Sequence, residues 1–193
     1  MEELRFCPNC GGRLTERLLD TEDRSRLVCD ACSRVFYQNP RIIAASLPIN
    51  ENGVVLLRRG IEPRIGAWTF PAGYMELNES VEEAAIREAK EETNLDVELT
   101  ELLDIYSRRE AGVVIIVYLA RVLGGQPATC REALEIAEFT PDHIPRDELA
   151  FPSTIWALEA WVSRTRKGNG SRAAEHDLLV HLPRFHRHRS GRQ

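Results

Sequence analysis

Apolar and polar positions divide the chain into segments of different period. Ile42 to Ile49 is a nearly unbroken apolar run and reads as a buried strand. Asn50-Glu51-Asn52-Gly53 carries the Asn-Gly hairpin signal, and Val54 to Leu57 is the returning strand. Pro63 and Gly66 break Arg58 to Gly66 into a loop, and Ala67 to Gly73 reads as a short strand or loop. The pattern then predicts a helix over 81–93. Ser80 is its N-cap, Glu83 completes a capping box, and Asn94 ends it in a left-handed conformation. Leu95–Leu99, Val113–Leu119 and Glu135–Phe139 read as further strands, and a second helix starts near Ser153.

The predicted helix over 81–93 is chemically unusual. With successive residues about 100° apart, Val81, Ala85, Glu88 and Glu92 fall within about 60° of one another. Carboxylates avoid a core-facing arc unless paired or metal-bound, because removing their hydration is costly. Arg87 and Lys90 cannot neutralise Glu79, Glu82, Glu83, Glu88, Glu91 and Glu92, whereas divalent cations can. Oxygen-only ligands suit Mg²⁺ or Mn²⁺. Taken alone, the helix fits a solvated acidic face equally well.

Four of the five cysteines form two C-x2-C pairs, Cys7/Cys10 and Cys29/Cys32, with eighteen residues between the pairs. That spacing suits a tetrahedral structural Zn²⁺ site. Disulfides are disfavoured in a reducing cytosol, and neither pair opens a helical pattern as a redox C-x-x-C does. Cys130 reads as a plain thiol.

The chain has 193 residues, 43% hydrophobic and 28% charged, with net charge −5. This suits one well-buried core with a small attachment. The acidic body argues against nucleic acid as a partner. The longest apolar run, Ala111 to Ala120, is too short to cross a bilayer, and the N-terminus lacks the apolar stretch of a signal peptide. The expectation is a cytoplasmic protein. Three segments are expected: residues 1–38, 39–163, and a basic, mobile tail at 164–193. Gly168-Asn169-Gly170-Ser171 reads as a linker in that tail. A polyanion-binding role or a weak metal tract is the functional alternative for it.

The residues before the helix decide between a solvated face and a metal site. Gly73, five residues, Glu79, seven residues and Arg87-Glu88-Ala89-Lys90-Glu91-Glu92-Thr93-Asn94-Leu95 resemble the Nudix box. Asn94 stands where the family usually has Gly, and Ala72 where many members have Gly. The cysteine pairs, Tyr37-Gln38-Asn39-Pro40-Arg41, Trp68-Thr69-Phe70-Pro71 and Leu149-Ala150-Phe151-Pro152-Ser153 extend the resemblance. They resemble the zinc-ribbon Nudix hydrolases, a group of ADP-ribose and FAD pyrophosphatases related to NADH pyrophosphatase.

The resemblance implies an α/β fold: an α/β/α sandwich with a mixed sheet, preceded by a four-cysteine zinc ribbon. It implies hydrolysis of a nucleoside diphosphate derivative, a small-molecule nucleotide substrate. Glu88 and Glu92 would ligate catalytic Mg²⁺ or Mn²⁺, with Glu91 as ligand or base and the Ala72 carbonyl completing the shell. Arg87 would hold these carboxylates, and Glu79 would support the network. Glu132 resembles a downstream metal ligand of NADH pyrophosphatase, and Glu135 is a second candidate there. Tyr74 matches an aromatic that stacks adenine. Trp68 is a further candidate platform, and Arg108 or Arg109 a candidate for phosphate or ribose. The NADH pyrophosphatase motif Ser-Gln-Pro-Trp-Pro-Phe-Pro-x-Ser has no match at Asp104 to Glu110, so ADP-ribose or FAD-like dinucleotides are favoured over NADH. The rival readings are a triphosphate or capped-RNA pyrophosphohydrolase, and a non-enzymatic nucleotide-sensing or partner-docking module. Relatives are often dimers, so a homodimer is a further expectation.

Overall fold

A computed structural model describes residues 4–20 and 22–170. Strands β1 (Leu14–Leu18), β2 (Ser25–Cys29) and β3 (Val35–Phe36) form a three-stranded antiparallel sheet in the order β1-β2-β3. A second sheet is built from β4 (Arg41–Asn50), β5 (Gly53–Arg59), β6 (Trp68–Thr69), β7 (Ala72–Tyr74), β8 (Asp96–Arg108), β9 (Val113–Gly124) and β10 (Ala133–Phe139). Its order is β10-β5-β4-β9-β8, with β6 on β5 and β7 on β4. The sheet is mixed, because β4 and β9 run parallel from Arg41↔Val113 to Ile49↔Arg121 while the other pairs are antiparallel.

Helices α1 (Val81–Thr93) and α2 (Pro152–Gly170) cover opposite faces of this sheet. The period-2 alternation of strands makes this necessary. Ala45 and Leu47 of β4, with Val54 and Leu56 of β5, pack with Ala157, Leu158, Trp161 and Val162 of α2. Their neighbours point the other way: Ala44 packs against Ala84 and Ala85 of α1, and Val55 against Ala89. A strand buried on both sides reads as a continuous apolar run, as 42–49 does. Pro48 sits where β4 needs no donor on that side. Pairing to β7 ends at Ala45, and pairing to β5 begins at Ile49.

The α1 boundaries agree with the sequence expectation. Ser80 Oγ accepts from Glu83 N–H while the Glu83 carboxylate accepts from Ser80 N–H, and Asn94 sits at φ 59° with its N–H on Lys90 O. Three alanines on the buried face let the backbone of α1 approach β4 closely.

Two expectations need correction. Strand β8 continues to Arg108, well past Leu99. Helix α2 continues to Gly170, so 168–170 are helical and the basic segment expected as a tail from 164 begins within α2. Arg164 is held there by Glu101 at 2.9 Å and by the Leu103 carbonyl at 2.9 Å. Residues 171–193, where most of the tail expectation falls, lie outside the described residues.

Candidate active site

A cleft of about 790 Å³ opens beside the C-terminal half of α1. One wall carries Glu88, Glu91, Glu92 and Glu132. Arg41, Tyr74 and Arg108 border it elsewhere, and Phe151 and Ser153 bring the start of α2 to it.

Glu92 is 8% exposed, and its Oε2 accepts the Ala72 N–H at 2.8 Å. Burial pushes its carboxyl up to about 8 against that hydrogen bond, and the charges of Glu88 and Glu132 add to the rise. Glu88 is raised by the same cause, with Arg87 opposing and Glu91 and Glu132 contributing. Its carboxylate lies over Gly73, where a Cβ would sit 2.1 Å from Glu88 Oε1. Any side chain at 73 would therefore push the Glu88 carboxylate out of this position.

Arg87 organises the rest. Its Nε and Nη2 bind both oxygens of Glu79 at 3.0 and 2.7 Å. Its Nη1 donates to Glu88 at 2.6 Å and to Glu91 at 3.0 Å. Its Nη2 also reaches the Tyr74 carbonyl at 3.2 Å, which ties α1 to β7. The Arg87 hydrogen bonds, helped by the Glu76 N–H, hold the Glu79 carboxyl down to about 2. Only a planar guanidinium can serve three carboxylates in this way.

Glu132 reaches the cleft because its carbonyl accepts the Gly60 N–H at 2.8 Å. A Cβ at Gly60 would lie 2.2 Å from the Arg131 carbonyl, so the two loops meet only with glycine there. The donor set of Glu88, Glu91, Glu92 and Glu132 is oxygen throughout, which fits a hard divalent cation. These carboxylates share one wall but are more widely spaced than the cysteine group described below.

Other expected residues divide. Tyr74 is half-exposed on the cleft with the Arg41 guanidinium 4.5 Å from its ring centroid. Arg108, at the end of β8, also borders it. Trp68 does not. It is 4% exposed and packs edge-on to Phe139 at 5.0 Å in the core, because β6 pairs with β5 and turns the indole inward. Glu135 pairs with Arg58 at 3.4 Å on β10, outside the cleft lining. Sequence reasoning missed Arg59. It ends β5 and lines the cleft with its guanidinium 5.0 Å from the Phe151 ring. Nothing in its spacing marks it, since the partner is ninety-two residues away in sequence.

The sulfurs of Cys7, Cys10, Cys29 and Cys32 lie within 4.8 Å of one another. Cys7 to Cys32 is 3.8 Å and Cys10 to Cys29 is 3.5 Å. A tetrahedron of thiolates at the usual zinc distance has edges of about 3.8 Å, so the group fits Zn²⁺. The Cys32 N–H, with that of Ala31, holds the Cys29 thiol down to about 6 against its desolvation. Among the described residues this is the one group of three or more potential ligands so tightly gathered.

The NUDIX domain family matches residues 39–159, and the Nudix N-terminal zinc-ribbon family matches residues 5–38. The chain belongs to the Nudix family and is a Nudix hydrolase. It is 33% identical over 119 residues to an ADP-ribose pyrophosphatase of Methanocaldococcus jannaschii, covering 60% of this chain and 69% of that protein. It is 33% identical over 97 residues to the NAD-capped RNA hydrolase NudC of Vibrio atlanticus, covering 50% of this chain and 34% of that protein. Among solved structures, a NUDIX hydrolase from Nitrosomonas europaea superimposes with a TM-score of 0.82 at 34% identity, covering 86% of this chain and 94% of that one. Enzymes of this family use divalent cations and act on nucleotide substrates. No helix among the described residues is long and apolar enough to cross a membrane.

Proposed function

We propose that the chain hydrolyses the diphosphate linkage of a nucleoside diphosphate derivative, ADP-ribose or a FAD-like dinucleotide, and releases AMP. The observation that carries this reading is the wall on which Glu88 and Glu92 meet the Ala72-Gly73 backbone in a cleft that also holds Tyr74 and Arg41. Glu88, Glu91, Glu92, Glu132 and the Ala72 carbonyl would hold Mg²⁺ or Mn²⁺. Such an ion supplies charge neutralisation and an acidified water for attack on phosphorus.

The chain's own residues do the rest. Arg87 fixes the directions of the Glu88 and Glu91 carboxylates. Glu91, the most exposed of the three acids that Arg87 binds, accepts the proton of the attacking water, with Glu132 as the alternative acceptor. Glu79 anchors Arg87 from the side remote from Glu91. Tyr74 offers a face to adenine, a stack worth about 1–3 kcal/mol per base, and Arg41 stiffens that ring. Arg108 meets a phosphate or the second ribose. The cysteine cluster holds Zn²⁺ in a structural role.

The resemblance to NudC supports a second reading, in which NADH or NAD-capped RNA is the substrate. A substrate panel separates the two. ADP-ribose, FAD, NADH, NAD-capped RNA and diadenosine polyphosphates are incubated with Mg²⁺ and Mn²⁺, and products are scored by chromatography. AMP release fastest from ADP-ribose or FAD is expected. Binding without turnover of any of them would overturn the enzymatic assignment of substrate class.

A further inference from the structure

The loop between β9 and β10, residues 125–132, lies along the last turn of α1. A helix end leaves its final carbonyls without partners inside the helix. Here the loop supplies them. The Glu92 carbonyl accepts the Cys130 thiol at 3.9 Å, and the Thr93 carbonyl accepts the Ala128 N–H at 3.2 Å. At Asn94 the direction reverses, and its side-chain Nδ2 donates to the Gln126 carbonyl at 2.9 Å. Residues 92, 93 and 94 thus meet 130, 128 and 126 in turn. The loop runs on from these contacts to Glu132, which lies on the acidic wall of the cleft.

Asn94 makes that contact from a left-handed conformation, φ 59°, which Asn tolerates better than most non-glycine residues. Its backbone N–H donates to the Lys90 carbonyl, and its own carbonyl accepts Lys90 Nζ at 3.2 Å. The backbone is therefore committed to the helix end, and the side chain reaches outward to the loop. Gly125 permits the close approach, since a Cβ there would sit 2.4 Å from the Asn94 carbonyl. Glycine, which the Nudix box usually carries in place of Asn94, would cap α1 equally well. It would have no side-chain amide to offer Gln126. Capping alone does not account for the asparagine.

We propose that Asn94 is a positioning residue for Glu132. Its amide fixes where the loop leaves β9, and the contacts at Ala128 and Cys130 carry that register along to the acid. The far side of the loop is held by the Gly60 N–H on the Glu132 carbonyl at 2.8 Å. Glu132 is then presented to Glu88 and Glu92, close enough for its charge to act on both. The inference rests on the reading of Glu132 as a ligand of Mg²⁺ or Mn²⁺. A cation shared by a helix and a loop needs the two held in one relative position, and the groups that orient a ligand matter nearly as much as the ligand itself.

The test uses the full chain as Asn94→Gly, Glu132→Gln and the double variant. Asn94→Gly keeps the left-handed cap, so α1 is expected to stay folded. In metal-free protein, hydrogen exchange at the Ala128 and Cys130 amides should quicken about threefold or more, the scale of one lost hydrogen bond. The amides inside α1 should stay protected. Mn²⁺ affinity, followed through the electron paramagnetic resonance of the free ion, should fall by a similar factor in Asn94→Gly and by more in Glu132→Gln. The double variant should bind Mn²⁺ no more weakly than Glu132→Gln, because the asparagine acts through that acid. Losses that simply add in the double variant would overturn the proposal, since they would mark a helix cap acting on Glu88 and Glu92 directly. If Glu132→Gln weakens Mn²⁺ binding and Asn94→Gly binds like wild type, this inference falls alone. If Glu132→Gln itself binds like wild type, the ligand reading of Glu132 falls and takes this inference with it. None of these readouts depends on turnover.

Discussion

The carboxylate of Glu88 rests on the α-carbon of Gly73, so close that a methyl group there would sit 2.1 Å from Glu88 Oε1. The glycine leaves room for the carboxylate of α1 to lie directly against β7. Gly73→Ala should displace Glu88 from the cleft wall. An ångström of misplacement at a reacting centre costs on the order of 100-fold in rate, and a fall of that size in kcat is expected with the fold retained. Steady-state kinetics alongside circular dichroism checks it.

Glu92 is a buried acid whose carboxyl is raised from 4.5 to about 8. Its folded-state value lies above its unfolded one, so the folded state holds the extra proton between them. That contribution to stability is complete below about 4.5 and is lost as pH rises through about 8. In buffer free of Mg²⁺ and Mn²⁺, stability should therefore fall between these values. Glu92→Gln keeps an acceptor for the Ala72 N–H and should flatten the decline. Urea titrations at a series of pH values measure both.

Glu79 behaves in the opposite sense. Arg87 holds its carboxyl down to about 2 from 4.5. The stability it contributes is present above 4.5 and is lost as pH falls through about 2. Arg87→Gln removes the shared cation from Glu79, Glu88 and Glu91 together and should lower Tm at neutral pH. Arg87→Lys should restore only part of it, because an ammonium cannot reproduce the paired bonds to Glu79. Differential scanning calorimetry of the two variants is the measurement.

For the cysteine cluster, atomic absorption should find one zinc per chain. Cys29→Ser should abolish it and expose the amides of 5–38 to hydrogen exchange, since so short a segment has little core of its own. Turnover is expected to change far less than zinc content, because none of the four cysteines lines the cleft.

Much of this arrangement is legible in the sequence because it rests on local signals. Ser80, Glu83 and Asn94 bound α1 through contacts within a few residues, and the cysteine spacing marks the metal cluster. The arc through Ala85 and Glu92 foretells a buried acid. Strand β8 is less legible, because register shifts at Asp96/Val97, Leu99/Glu101 and Leu102/Asp104 break its alternation. Trp68 lies in a two-residue strand whose facing is set by β5, and composition says nothing about that. Arg59 meets Phe151 only through tertiary packing, so no spacing announces its place in the cleft.

The central claim is that the acids of α1 perform the chemistry, and Glu88→Gln tests it most directly. With ADP-ribose and saturating Mg²⁺, AMP release by the variant should fall by orders of magnitude while its Tm and circular dichroism stay near those of the wild type. A turnover rate close to wild type in a folded Glu88→Gln protein would contradict the account.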